Sequence, residues 1–319
     1  MTDQMSLCVV VVTYRRVDSL VNCLEGLAKL RRLPDQVIIT VRDIDSETQS
    51  FIQGYSTSSL SFQQVLVATP GIVAARNAGL AACHSDIVAF LDDDTVPHED
   101  WSERVIEHFV ANPRLGGLGG KDRLHNGTQF DERQSKVIGR VQWCGRVIPN
   151  QHLGFGAPRE VDFLKGANMS FRSKAVGSIR FDTRLKGKGA QPNDDVTFCL
   201  AVRRAGWQLV YDPAVLVDHF SGSRDEVRHY AVVAPVTDWR GYRDFGYNEV
   251  IAVWDELSPP RRVAFCIWSV LIGTRVCPGM LQAARFTPKL GLASWRRFWI
   301  AQRGKLDALH DLRTASDSA

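Results

Sequence analysis

Leu7 to Val12 is an unbroken apolar, largely β-branched run that stops at Thr13-Tyr14-Arg15-Arg16, the pattern of a strand covered on both faces inside a parallel sheet. Val17, Leu20, Val21, Leu24, Leu27 and Ala28 then recur in steps of three and four. With Asp18 suited to an N-cap, they predict an amphipathic helix. A second apolar run, Val37 to Val41, follows Pro34 and stops at Arg42-Asp43-Ile44-Asp45. Strand, helix, strand is the opening of a doubly wound α/β fold.

Gly71 to Cys83 reads as an Ala-rich helix containing Arg76 and Asn77. Ile87 to Leu91 is a third buried strand and runs directly into Asp92-Asp93-Asp94, so three acids sit at a strand's carboxyl end, where open α/β sheets bind ligands. A helix over Trp101 to Val110 comes next, then the patch Gly116-Gly117-Leu118-Gly119-Gly120 and a weakly patterned stretch to about residue 160. Beyond it the pattern predicts a strand over Ala167 to Arg172 and a helix over Asp194 to Ala205 closed by Gly206. A last strand, Gln208 to Tyr211, precedes Asp212-Pro213. There is no internal repeat and no low-complexity tract. The expected architecture is an α/β domain over 1–257 with a mostly parallel sheet, a ligand-binding half over about 1–120 and a second half over about 121–257.

The pattern changes after Ser258-Pro259-Pro260. Val263 to Thr274 carries no charge, is flanked by Arg261-Arg262 and Arg275, and is followed by Trp295, Phe298 and Trp299 around Arg296-Arg297. Twelve residues are too few to span a bilayer, which leaves a core helix or an interfacial one. Charge weighs on that choice. The formal net charge of +4 divides unevenly: residues 261–319 hold ten Lys and Arg against three Asp, residues 1–260 hold 29 against 32. A basic C-terminal region without a nucleic-acid motif points to an anionic membrane surface.

The chain's 319 residues, 45% hydrophobic and 23% charged, can bury a sizeable core and exclude wholesale disorder, collagen and coiled-coil arrays. Seven cysteines lie scattered at 8, 23, 83, 144, 199, 266 and 277 with no C-x-x-C pair, as in a reducing compartment. The apolar run at the N-terminus is too short for a signal-peptide core. Cytoplasmic residence, with peripheral contact on the inner face of the cell membrane, is the expected location; oligomerisation stays open.

Three carboxylates in a row repel one another unless something positive joins them, and alternate residues 92 and 94 of an extended backbone point the same way. A divalent cation of the Mg²⁺ or Mn²⁺ type resolves that repulsion and bridges protein to phosphate. His219, beside Asp218 and Phe220, is a ligand or phosphate contact only if the fold brings it to Asp94. Asp194 and Asp195 open a helix, where acids stabilise the dipole. A first-turn carboxylate facing a cleft would also serve as a general base. Lys186-Gly187-Lys188-Gly189 ahead of them reads equally as a loop closing over a diphosphate or as a plain mobile loop.

Taken together, four blocks in order resemble the glycosyltransferases of family 2, with the GT-A fold: Val9 to Arg16; Phe90-Leu91-Asp92-Asp93-Asp94-Thr95-Val96-Pro97 as a D-x-D motif; Gly166-Ala167-Asn168-Met169-Ser170-Phe171-Arg172; and Asp194-Asp195 ahead of Arg203-Arg204-Ala205-Gly206-Trp207, Tyr211-Asp212-Pro213 and His219. The resemblance covers residues 7–219 and implies a metal-dependent, inverting transfer of a sugar from a nucleoside-diphosphate sugar, UDP foremost, to a glycan, lipid-linked or small-molecule hydroxyl. Residue by residue, it implies that Thr13, Tyr14 and Arg16 border the nucleotide and that Asp43 faces the base. Arg76 would lie near base or phosphates, Asp92 and Asp93 on the donor side. Asp94, with Asp92 and His219, would hold Mn²⁺ or Mg²⁺. Asp195 aligns with the catalytic base and Asp194 with its acceptor-holding partner.

Departures from the family pattern matter. The second strand ends in Arg42-Asp43-Ile44-Asp45 rather than two adjacent acids and Gly, leaving open which Asp meets the base. Thr197 stands where an acid is common, and no Q-x-x-R-W follows the helix, which argues for one sugar per encounter rather than processive synthesis. A sugar-1-phosphate nucleotidyltransferase would carry a glycine-rich basic loop after the first strand, and Thr13-Tyr14-Arg15-Arg16-Val17 has no glycine. A non-catalytic nucleotide-sugar or glycan-binding module would be expected to show a damaged site.

Overall fold

The computed structural model describes residues 5–55, 60–220, 236 and 238–317. In chain order the first elements are β1 (Leu7–Thr13), α1 (Val17–Ala28), β2 (Gln36–Arg42), α2 (Ser46–Gly54), β3 (Phe62–Val67), α3 (Ile72–Ala82), β4 (Ile87–Asp92), β5 (Thr95–Pro97), α4 (Trp101–Ala111) and β6 (Leu115–His125). There follow β7 (Arg140–Val141), β8 (Val147–Ile148), β9 (Arg159–Glu160), β10 (Asn168–Arg172), α5 (Ser173–Val176), α6 (Asp194–Arg204) and β11 (Gln208–Phe220). Four helices end the chain: α7 (Trp239–Trp254), α8 (Pro259–Leu271), α9 (Met280–Leu290) and α10 (Leu292–Asp317).

One sheet carries the first part of the chain in the order β3-β2-β1-β4-β10-β6-β11-β5, with β9 paired to β11. The four strands from β3 to β4 are parallel. β10 runs antiparallel to both β4 and β6, and β6 and β11 are parallel. The expected mostly parallel α/β sheet is therefore present. β1, β2 and β4 are buried nearly throughout, because α1 and α4 cover one face and α3 the other, which is why these strands read as continuous apolar runs.

Several elements depart from the sequence reading. Asp18 does not cap α1; Arg16 occupies the N-cap position and Asp18 lies in the first turn. α2 and β3 were not predicted. β3 is only half-buried along most of its length, an edge strand reading Phe-Gln-Gln-Val-Leu-Val without clear alternation, and α2 is a short, polar helix held by the Asp45 cap on Thr48. The last strand does not stop before Asp212-Pro213 but runs from Gln208 to Phe220, with a register shift between Asp212 and Leu216 that absorbs the proline.

The glycine patch is strand β6, and its glycines are there for space. A Cβ on Gly120 would strike the Val215 carbonyl and the Asn168 amide, one on Gly116 the Trp207 side chain, and one on Gly119 the Leu164 side chain. Asn168 then ties the region together: its Nδ2 donates to Val215 O at 2.9 Å and its Oδ1 accepts from Trp101 Nε1 at 2.9 Å. Beneath it Phe90, Phe171, Phe181 and Phe198 form an aromatic core, with Phe181 and Phe198 stacked at 4.1 Å.

The chain divides into two compact units: Met1–Arg140, Ile148–Phe181 and Phe198–Ser223 in the first, Val141–Val147, Asp182–Thr197 and Arg224–Ala319 in the second. The second unit is wider than the expected 258–319 region because α7 packs on α10 at glycine distance. Gly246 faces the Ala301 backbone and Gly304 the Arg243 carbonyl. Asn248 of α7 also holds both backbone groups of Lys186, at 2.9 Å each.

Overpacking a tight strand contact costs about 1–3 kcal/mol, so Gly120→Ala is expected to lose that much unfolding free energy in a urea titration. Gly54→Ala, at the end of α2 with nothing within 4 Å of the added Cβ, should be neutral or slightly stabilising.

Candidate active site

The carboxyl ends of β1 and β4 and the last turn of β11 build the site. β4 ends at Asp92 and β5 begins at Thr95, so Asp93 and Asp94 form the turn between them, closed by a hydrogen bond from Thr95 Oγ1 to Asp92 O at 2.7 Å. β5 pairs antiparallel with β11, Thr95 opposite His219. That pairing brings the distant histidine onto the acidic turn. Ligating atoms of Asp92, Asp94 and His219 lie within 4.8 Å of one another, the histidine and Asp94 buried and Asp92 half-buried.

Positive charge surrounds the acids. Arg16, directly after β1, forms an ion pair with Asp93 and donates to Asp94 Oδ2 at 3.1 Å. Arg76 of α3 is 3% exposed, donates to Asp92 Oδ1 at 3.2 Å and to Gly166 O at 3.1 Å, and lies over the Phe181 ring. Gly166 is glycine because the guanidinium rests where its Cβ would be. Complete burial, only partly offset by Arg16, pushes Asp93 up to about 7. Its carboxyl is sealed beneath the turn and holds Arg16 in place.

His219 bridges two acids: Nε2 lies 3.2 Å from Asp94 Oδ1 and Nδ1 3.2 Å from Asp122 Oδ2. Burial disfavours its imidazolium, but the two carboxylates outweigh it and push the group up to about 9. Asp122 of β6 is fully buried, and it also pairs with Lys165. Burial alone would raise its pKa; Lys165 and His219 pull it below the ordinary carboxylate value. Sequence reasoning missed Asp122 and Lys165. Asp122 stands in the weakly patterned stretch and Lys165 just beyond it; the β6–β11 register, which sets Lys121 to His125 against Leu216 to Phe220, puts Asp122 behind the histidine, and Lys165 pairs with Asp122.

The other candidates have definite places. Thr13 is buried at the end of β1 and Tyr14 is exposed beside it, with Arg15 at φ 53° folded over the Tyr14 ring. Asp45 accepts from Arg15 N at 2.6 Å and from Thr48 Oγ1 at 2.7 Å, and so is occupied in holding the loop. Asp43 is exposed. In the second unit, Asp194 is buried and Asp195 half-buried in the first turn of α6, and the Asp195 carboxylate accepts from Val196 N at 2.8 Å. The Lys186 ammonium lies 3.7 Å from the Tyr247 ring centre and 3.2 Å from Asp311.

With this geometry in view, the family model described as "Glycosyltransferase like family 2" matches residues 5–231. The chain belongs to that family. The pre-mycofactocin glycosyltransferase of Mycobacterium tuberculosis is 29% identical over 177 residues, covering 50% of this chain and 33% of that protein. The glucosyl-dolichyl phosphate glucuronosyltransferase of Haloferax volcanii is 23% identical over 265 residues, 80% of this chain and 79% of that protein. The chain thus spans about a third of the first relative's length and most of the second's. Among solved structures, Staphylococcus aureus TarS in complex with UDP-GlcNAc superposes with a TM-score of 0.60 at 14% identity, over 93% of this chain and 79% of that one. Pyrobaculum calidifontis mannosyltransferase PcManGT with GDP-Man and Mn²⁺ gives 0.59 at 14%, over 97% and 88%. At such identities the structures show a shared GT-A fold.

Asp122→Asn removes the acceptor that holds the His219 proton. In the metal-free variant the imidazole should titrate well below 9, toward the ordinary value near 6.5, as read by NMR of the ring nitrogens. With the charged acceptor facing Lys165 and His219 replaced by a neutral amide oxygen, unfolding free energy should fall by about 1–3 kcal/mol.

Proposed function

We propose that the protein transfers a sugar from a nucleoside-diphosphate sugar, UDP-linked by preference, to an acceptor hydroxyl by a single inverting displacement, one sugar per encounter. The observation that carries the reading is the convergence of Asp92, Asp94 and His219 at the carboxyl end of β4. Two carboxylates and an imidazole are a donor set suited to Mn²⁺ or Mg²⁺, and among the comparison structures PcManGT is described with GDP-Man and Mn²⁺. Such an ion supplies charge neutralisation to the leaving diphosphate.

The chain's own groups do the rest. Thr13, Tyr14 and Arg16 border the nucleotide, and Asp43, exposed where Asp45 is occupied, meets the base. Arg76 fixes Asp92, and Asp93 acts through Arg16. Asp195 takes the acceptor's proton, with Asp194 orienting the acceptor; general-base assistance of this kind typically gives ~10² to 10⁴-fold. A lipid-linked acceptor is favoured among glycan, lipid and small-molecule hydroxyls by the name of the Haloferax relative. The scattered spacing of the cysteines, with no C-x-x-C pair, supports a reducing, cytoplasmic setting.

Calorimetry with UDP, GDP, dTDP and CDP, with and without Mn²⁺, tests the donor site. UDP is expected to bind more tightly when Mn²⁺ is present, and Asp94→Ala to abolish that gain; Mn²⁺-independent affinity in the wild type would refute the metal assignment. Asp195→Asn is expected to lose ~10²-fold or more in kcat while keeping nucleotide affinity, and near-normal transfer would remove it as the base.

A further inference from the structure

The last three helices, α8, α9 and α10, expose apolar side chains in register. On α8, Val263, Ile267, Val270 and Leu271 stand at i, i+4, i+7 and i+8, with Val263 60% and Ile267 55% exposed, while Phe265 and Ser269 on the other face are buried. The turn after α8 is a closed hairpin: Gly273 bridges Pro278, Gly279 N donates to Ile272 O at 2.9 Å, and Thr274 N to Cys277 O at 3.0 Å. This turn sets exposed Leu271 and Ile272 beside exposed Met280 and Leu281 at the start of α9. On α10, Leu292, Trp299 and Leu306, 86%, 62% and 64% exposed, share one stripe with exposed Arg296 and Arg303.

Charge says what covers these positions. From Ser258 to Leu306 there is no Asp or Glu, and Arg275, Arg285, Lys289, Arg296 and Arg303 are all exposed. On α9, Leu281, Arg285 and Lys289 follow at i, i+4 and i+8, so aliphatic and cationic groups line one side. A contiguous exposed apolar surface of this kind marks an interaction site. A second copy of the chain would bring the same acid-free surface, cation against cation. Nucleic acid would match the cations and leave the aliphatic face of α8 in water. An anionic bilayer matches both, taking the aliphatic and Trp side chains into the headgroup and acyl boundary while the long basic side chains reach phosphate.

We propose that the outward face of α8, the α8–α9 hairpin and the exposed stripes of α9 and α10 form a docking surface for an anionic lipid membrane, on which the protein sits without spanning it. Among the described residues no helix is long and apolar enough to cross a bilayer. The surface stands on exposure and charge and does not depend on the sugar-transfer reading.

The test is co-flotation of the full chain with vesicles of phosphatidylcholine alone or with 30% phosphatidylglycerol (about that proportion gives a strongly negative surface). The wild type is expected to float with the anionic vesicles, at least tenfold less with the neutral ones, and to be partly released by 0.5 M salt, about where screening becomes short-ranged. Ile267→Glu/Leu271→Glu alters two side chains already facing solvent. It is expected to keep the wild-type melting temperature and to lose flotation tenfold or more. Arg285→Glu/Lys289→Glu provides a second, independent loss. The proposal fails if the wild type stays at the bottom with anionic vesicles, or if both variants float as well as it does. It fails equally if sedimentation without lipid shows a dimer that Ile267→Glu/Leu271→Glu dissociates, or if duplex RNA or DNA releases the protein from the vesicles and binds it with equal loss in the variants.

Discussion

Negative charge concentrated at the end of a buried strand is the constraint around which the first unit is organised. β4 delivers Asp92, Asp93 and Asp94 to a place where water is largely excluded, and carboxylates there are tolerable only when paired. Each has a different answer. Asp93 is sealed against Arg16, Asp92 is held by Arg76, and Asp94 faces both Arg16 and His219. The three groups that meet the acids come from the β1–α1 junction, α3 and β11, so the pairing fixes the ends of β1 and β11, the start of α1 and the face of α3 together.

The same constraint explains why small residues recur near the acids. Gly166 leaves room for the Arg76 guanidinium, and Gly120 lets the irregular part of β11 approach β6 where Asp122 stands two residues on. The buried charges and the bare backbone are one arrangement: the strands must close to this distance for a histidine on β11 to lie between Asp94 and Asp122.

Much of this was legible in the chain. Buried parallel strands write themselves as apolar runs, and β1, β2, β4 and α3 lie within a residue of where those runs and the Ala-rich pattern put them. The acidic turn at a strand end was equally plain, since position along the strand fixes it. What escaped detection was set by distant partners. β3 is an edge strand with mixed polarity, β6 is a strand whose glycines disguise it, and β11 continues through a proline because a register shift accommodates it. Asp122 and Lys165 carry no local signal: the strand beside β6 gives Asp122 its place, and Lys165 is known only as its partner.

His219 and Asp94 lie far apart in the chain and meet only through the pairing of β5 with β11. The cluster of Asp92, Asp94 and His219 therefore does not exist in any fragment that lacks β11, and no partly formed sheet can present it. Whatever binds there discriminates between the finished sheet and every incomplete one, and by mass action holds the chain in the finished state. An ion held by Asp92, Asp94 and His219 would in this sense be a latch on folding, and damage to a remote strand pairing would reach the cluster without touching any of the three side chains.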